Sequence, residues 1–304
     1  MSHGPDIRGS DPEGFCGREN NILEIENILG SYTGRVDRDA VLSYAAATND
    51  PSAEYLAGAV PPLFIVSLMH SAILDNHRLL TEMLGSSAGG VHAGHDVYFY
   101  HPVRADMILH WTTKVYSAAQ TSIGVRVVTR IPFYDALDQL VTEHYWSSIY
   151  FGTTIAAAVG PRLANHAFPE AARSHELGSA SFEIADDQPF RYAEASGDHA
   201  PIHLSDEDAR SHGFPAKLLH GLCTLAICGV AVVRVAGHGE SGRLSRLTAH
   251  FAKPVFPPCT LDVRVYDPGA PAENSLAVAF EASSAGSIAV SHGRAEFRTD
   301  SGQP

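Results

Sequence analysis

The stretch YAEASGDHAPIH, Tyr192 to His203, decides how the chain is read. It holds an acid, Asp198, and an imidazole, His203, five positions apart. In a continuous helix that spacing sets two side chains about 140° apart around the axis, so a helix cannot aim both at one point. Gly197 tolerates unusual dihedrals, while Pro201 disfavours a helical conformation at Ala200 and lacks an amide donor. The helix must therefore end near Ser196. GDHAPIH is then expected as a loop that turns Asp198 and His203 toward one water molecule, an arrangement suited to acid-base chemistry.

Working outward, the same stretch recurs. Tyr44, Ala45, Ala47 and Asp50 of YAAATND return as Tyr192, Ala193, Ala195 and Asp198, each 148 positions later. Downstream, YFYHPV (Tyr98 to Val103) returns as HFAKPV (His250 to Val255) at an offset of 152. Two ordered matches at nearly constant offset point to duplication, and a period this long means two domains, since solenoid repeats run at about 20 to 50 residues. The halves are unequal. Asp50 stands where Asp198 does, but the counterpart of His203 is Tyr55. The first half is expected to be inactive, serving as packing support or lining a tunnel with AGAVPPLFIVSLM.

Each half repeats a coarse pattern of short helix, irregular stretch, long apolar helix and several strands. In the second half QPFRYAEAS reads as helix, DEDARSHG as a short helix, and Leu219 to about Val235 as the long one. Four alternating segments from RLSRLTAHFA to SIAVSHGRAEFR read as antiparallel strands. The first half offers LFIVSLMHSAILDNHRLL as helix and DVYFY, MILHWTTKVYS, TSIGVRVVTRI and LVTEHYWSSIYFG as strands. The expectation is an α+β fold in which a sheet wraps a helix. The domains are expected at residues 1–152 and 179–304, joined by a linker over 153–178.

The whole chain agrees with this. Its 304 residues suffice for two cores, and a net charge of −13 with no basic run argues against nucleic acid as a partner. The longest apolar run, Gly221 to Val233, is thirteen residues, short of the roughly 20 that span a bilayer, so no membrane partner is expected. Cys16, Cys223, Cys228 and Cys259 lack the spacing of a disulfide framework or zinc site, and no metal is expected. Residues 1–14 lack a secretory pattern and the Ser-Gly-Gln-Pro end matches no common peroxisomal address, so a cytoplasmic location is expected.

YAEASGDHAPIHLSDEDA resembles the signature of the MaoC-like (R)-specific enoyl-CoA hydratases, matched here by Tyr192, Ser196, Gly197, Asp198, Pro201, Ile202, His203 and Ala209. Ala200 departs from it, since the family usually has Asn there. LLHGLCTLAI is similar to the family's His-Gly segment at the start of the central helix. The resemblance implies a double hotdog fold and reversible hydration of a trans-2-enoyl-CoA to the (R)-3-hydroxyacyl-CoA. Asp198 would act as base and His203 would orient the water and shuttle its proton. The backbone N-H of Gly221 would meet the thioester oxygen at a helix start, and Tyr192, Ser196, Gly197 and Pro201 would support the loop. No cofactor is implied, because coenzyme A enters only as part of the substrate. Arg210, Lys217, Arg246 and Lys253 are candidates to hold its phosphates.

Blander readings stand beside these. Asp198 could simply brace a turn, His220 reads as loop packing, His199 as pointing outward, and Cys223 and Cys228 as core. Two alternative functions remain: a non-catalytic acyl-CoA-binding or partner subunit, and an acyl-CoA thioesterase, although Leu222 to Val235 contains no acid. A monomer is possible, since the two halves already supply the pairing that single hotdogs obtain by dimerising, and a further homodimer is also possible.

Overall fold

The computed structural model describes residues 28–86, 89–163, 167–269 and 275–299; Cys16, residues 1–14 and the carboxyl-terminal four residues lie outside these. In chain order the elements are β1 (Ile28–Arg35), α1 (Arg38–Ala47), α2 (Ile65–Leu84), β2 (Gly90–Phe99), β3 (Ile108–Gln120), β4 (Gly124–Tyr134) and β5 (Leu140–Phe151). There follow β6 (Glu176–Ile184), α3 (Gln188–Ser196), α4 (Pro201–Leu204), α5 (Asp206–Ser211), α6 (Gly221–Val235), β7 (Leu244–Phe251), β8 (Cys259–Tyr266), β9 (Ser275–Ser284) and β10 (Ser287–Arg298).

The two long helices differ as their sequences do. On α2 the buried positions Ile65, Met69, Ala72, Asn76 and Leu80 recur at the three-to-four spacing of an amphipathic helix. On α6 every residue from Cys223 to Val233 is buried. Such a helix belongs inside the molecule, and α6 packs against β6, β7, β8 and β10.

The strands form one antiparallel sheet in the order β1-β3-β4-β5-β2-β7-β10-β9-β8-β6. The second half of that order is the first half reversed, with each strand replaced by its duplicate. At the join, Asp96 pairs with Thr248, flanked by Gly94 with His250 and Tyr98 with Arg246. Adding 152 to any first-half partner gives a second-half residue of the same set, so the register is unchanged when the halves are exchanged. The helices obey the same symmetry. Tyr44 on α1 and Tyr192 on α3, equivalent by sequence, meet with ring centroids 5.6 Å apart. This is the self-complementary contact expected of two copies about a two-fold axis.

Two strands escaped the sequence reading, β1 and β6. Both are sheet edges, and their glycine-bearing, half-exposed sequences ILGSYTGR and ELGSASFEI lack a strong apolar alternation. β6 begins at Glu176, inside the stretch read as linker.

Close to the join, β2 and β5 carry buried histidines. A ring N-H hydrogen bond of 2.9 Å links His95 Nε2 and His144 Nδ1, and His92 lies flat on Trp146 with centroids 3.6 Å apart. Burial pushes the His95 imidazole down to about 3 and His144 well below its ordinary range. The folded protein therefore holds both neutral while the unfolded chain takes up protons below about pH 6.5, so stability falls as pH drops. We expect the free energy of unfolding to fall by about 1 kcal/mol per pH unit for each of the two imidazoles between pH 6.5 and 5. Urea denaturation across that range measures this, and an unchanged midpoint contradicts it.

Candidate active site

The decisive stretch folds largely as its sequence requires. α3 stops at Ser196 because Gly197 takes a left-handed conformation, φ 80°, with its N-H donating to the Ala193 carbonyl at 2.8 Å. The Asp198 N-H donates to Ser196 Oγ at 3.2 Å, and the Ala200 N-H donates to Asp198 Oδ1 at 3.2 Å. One correction applies: GDHAPIH is not loop throughout. Pro201 opens the single helical turn α4, since its fixed φ suits a first helical position, and His203 lies on that turn. Ala200 is the N-cap residue of the turn and has no side chain to cap it. Asp198 stays outside the turn, so the continuous-helix geometry never applies.

Asp198 and His203 come together, and His220 joins them. One ligand-capable atom from each of Asp198, His203 and His220 lies within 4.8 Å of the others. His203 Nδ1-H donates to the Leu218 carbonyl at 2.8 Å, which leaves Nε2 as a bare acceptor. His220 Nε2-H donates to the Asp198 carbonyl at 2.9 Å, which leaves its buried Nδ1 bare and without a partner among the described residues. The two rings stack with centroids 3.8 Å apart, and the Tyr192 ring lies beneath, 4.9 Å from His220. His220 was read as loop packing, but it also fixes the carbonyl of the acid. No local sequence signal reveals a histidine reaching back over twenty-two positions.

Burial lowers the pKa of His203 in spite of Asp198 nearby, and lowers that of His220 to about 3, with the neighbouring His203 adding to the effect. Both imidazoles are thus neutral near pH 7. A single water making two hydrogen bonds of ordinary length spans about 4.6 Å between acceptors, and the groups of this cluster lie within 4.8 Å of one another. The same three groups are those that could hold a divalent ion, whose tetrahedral ligands would lie about 3.4 Å apart.

Gly221 is the first residue of α6, and His220, φ −58° and ψ 136°, is its N-cap. The first-turn amides of a helix have no intrahelical acceptor and sit at the positive end of its dipole. A Cβ at Gly221 would stand 3.3 Å from the Phe251 ring, so a side chain here is tight.

The first half also reaches the site. His70 of α2 packs against Gly197, its Cδ2 3.7 Å from where a Cβ would stand, and burial lowers its pKa while the charge of Asp198 opposes this. Sequence reasoning missed His70 because only the packing of α2 on α3 brings it there. The duplicate of the pair formed by Asp198 and His203 is closed on itself: the Tyr55 hydroxyl donates to Asp50 Oδ2 at 2.5 Å, and a phenol held far above its ordinary pKa by burial differs from a neutral imidazole in having no bare nitrogen acceptor. Pro61, Pro62 and Leu63 line a cavity of about 210 Å³ with Ala226, Gly229 and Val230 of α6.

Among the proposed phosphate-binding cations, Arg246 is corrected. It is buried at the join, its Nε donating to Asp96 Oδ1 at 3.0 Å and its second guanidinium nitrogen to Oδ2 at 2.7 Å, so it is not available to a ligand. Lys217 is paired with Asp186 at 2.7 Å and Arg210 with Asp206 at 3.3 Å. Lys253 is exposed and has no ion pair among the described residues. His199 points outward, as expected, and Cys223 and Cys228 are buried with thiols pushed up by burial. Among the described residues no helix is long and apolar enough to cross a membrane.

Comparison with known proteins bears on the same region. Residues 170–275 match the family described as MaoC like domain. A curated relative, 3-hydroxyacyl-thioester dehydratase Y of Mycobacterium tuberculosis, is 35% identical over 113 residues, which are 36% of this chain. The chain spans only 39% of that relative's length. Among solved structures, a MaoC-like dehydratase from Phytophthora capsici superposes with a TM-score of 0.77 at 21% identity, over 92% of this chain and 98% of the other. A Mycobacterium tuberculosis protein described as having a double hotdog fold gives 0.60 at 12% identity, over 90% and 97%. At these identities the likeness speaks to the fold, and the architecture is an α+β double hotdog.

Proposed function

We propose that this chain, whose residues 170–275 carry a MaoC-like domain, adds water reversibly across the double bond of a trans-2-enoyl-CoA to give the (R)-3-hydroxyacyl-CoA. The observation that carries the reading is the convergence of Asp198, His203 and His220, one ligand-capable atom of each within 4.8 Å of the others, beside the start of α6. In the forward direction the water oxygen bonds to C3 as its proton passes to this pair. The electron pair of the double bond moves toward the thioester oxygen, where the Gly221 N-H meets the charge, and C2 then takes a proton. His220 positions the acid by holding its carbonyl.

We read each half as a sheet folded round its long helix, with residues 1–152 the degenerate domain and 179–304 the catalytic one. The first half gives His70 to the site and has no working pair of its own. The name of the Mycobacterium tuberculosis relative, a dehydratase of 3-hydroxyacyl thioesters, supports the reaction type.

Purified full-length protein should consume trans-2-enoyl-CoAs of graded bulk with loss of the enoyl-thioester absorbance. No turnover across the panel, with acyl-CoA binding intact, returns the reading to a non-catalytic subunit, and release of free thiol returns it to a thioesterase. The pH profile supplies a second check. Because burial holds His203 below the ordinary imidazole range, the reactive neutral form persists on acidification, and the acid limb of kcat/KM is expected below pH 6.5. A limb above pH 7 argues against His203.

A further inference from the structure

On the sheet face away from α6, five residues form one row across five strands: Ser117 pairs with Val128, Val128 with Ser147, Ser147 with Gly94, and Gly94 with His250. Side chains on one such row share a face, and Val97, Leu247 and Ala249, at alternate positions, lie in the main core. Gly94 and the two serines make the row shallow. The chain after β5 is anchored beside β3 by backbone hydrogen bonds between Val159 and Ala118, where Gly160 leaves no room for a Cβ against the Tyr116 carbonyl. It is anchored again at β10, where the Phe168 N-H donates to His292 Nδ1 at 2.9 Å. Between this chain and the row lies a cavity of about 480 Å³.

Two polar atoms of that cavity are buried without a partner among the described residues. Ser147 is 6% exposed, and its Oγ has no hydrogen-bond partner among the described residues. The buried Nε of Arg126, on the same face and one step along β4, has none either. Arg162 lines the cavity from the covering chain, and no described carboxylate pairs with either arginine. The one carboxylate in the lining, Asp96, is already held by both ends of the Arg246 fork. In a protein of net charge −13, two arginines are thus left to face one partly open cavity with a hydroxyl donor between strands. Leaving buried donors unsatisfied is costly, and guanidinium groups pair with phosphate in a two-pronged way that a water cannot match.

We infer that this cavity is a binding site for a phosphate-bearing small molecule, held by Arg126, Arg162 and Ser147, and separate from the substrate groove. Its volume suits a ligand of nucleotide size. The row bearing His250 faces the opposite way from Phe251, which packs on Gly221, so the sheet itself divides the two sites.

Titration calorimetry of the full chain at low ionic strength with inorganic pyrophosphate, ADP and coenzyme A tests the binding without using the reaction, so the binding arm is independent of the hydratase reading and only the KM arm rests on it. Saturable binding of pyrophosphate or ADP near one equivalent is expected, weakened at least tenfold in Arg126→Gln and Arg162→Gln, with KM for enoyl-CoA unchanged in both. Arg162 is exposed, so its variant carries the test if Arg126→Gln fails to fold. Absence of saturable binding, or equal binding by the variants, overturns the site. A rise in KM matching the loss of pyrophosphate affinity also overturns it, by assigning these cations to the coenzyme A end of the substrate.

Discussion

Asp198→Asn should lower kcat for enoyl-CoA hydration by about a thousandfold, the middle of the range for removing a positioned acid-base group. The change is nearly isosteric. The Ala200 N-H can still donate to Oδ1, and the His220 bond is to the Asp198 backbone carbonyl, which the substitution leaves in place. What is lost is a charged acceptor for the water's proton, while the loop keeps its shape. The effect should therefore fall on kcat with little change in KM, because the interaction matters as the proton moves. His203→Ala should cost about a hundredfold or more by the same reasoning. Steady-state kinetics on whichever enoyl-CoA the wild-type protein turns over best decides this. An Asp198→Asn enzyme within threefold of wild type removes the acid from the mechanism.

The second large effect concerns a backbone atom. Gly221→Pro deletes the amide proton proposed to meet the thioester oxygen, and it does so where proline is well tolerated, at the first position of α6. The preceding residue already suits it, since His220 has the extended ψ of 136° that a following proline requires. A drop in kcat/KM of about a hundredfold to a thousandfold is expected, the usual cost of one oxyanion donor. Gly221→Ala is the control. It adds a Cβ in the same tight place beside Phe251 but keeps the N-H, so any loss it shows measures crowding. Equal losses in the two variants would mean that the amide does no chemical work.

The comparison of Asp198 with Arg246 shows how far the sequence could be read. Asp198 and His203 were legible because Gly197 and Pro201 lie between or beside them and act on neighbouring backbone only. Arg246 was misplaced as a phosphate ligand because its partner, Asp96, is 150 positions away and becomes adjacent only when β2 pairs with β7. The duplication told of two domains but not of their meeting along a shared strand edge. His220 and His70 were missed for the same reason, one acting through a carbonyl twenty-two positions back and the other from the opposite half.

That α3 stops at Ser196, which segments of the inner sheet alternate, that the chain is two copies of one pattern, and which copy keeps an acid with an imidazole were all written in the sequence. They depend on dihedral limits and apolar periodicity within a few neighbouring residues. Tertiary structure alone decided the tautomers of His203 and His220, the closure of Asp50 onto Tyr55, the neutralising of Arg246 and the burial of Ser147 Oγ and Arg126 Nε. Those follow from distance and burial between groups remote in the chain, and a hydrogen bond or a lost hydration shell exists only once packing has brought such groups together.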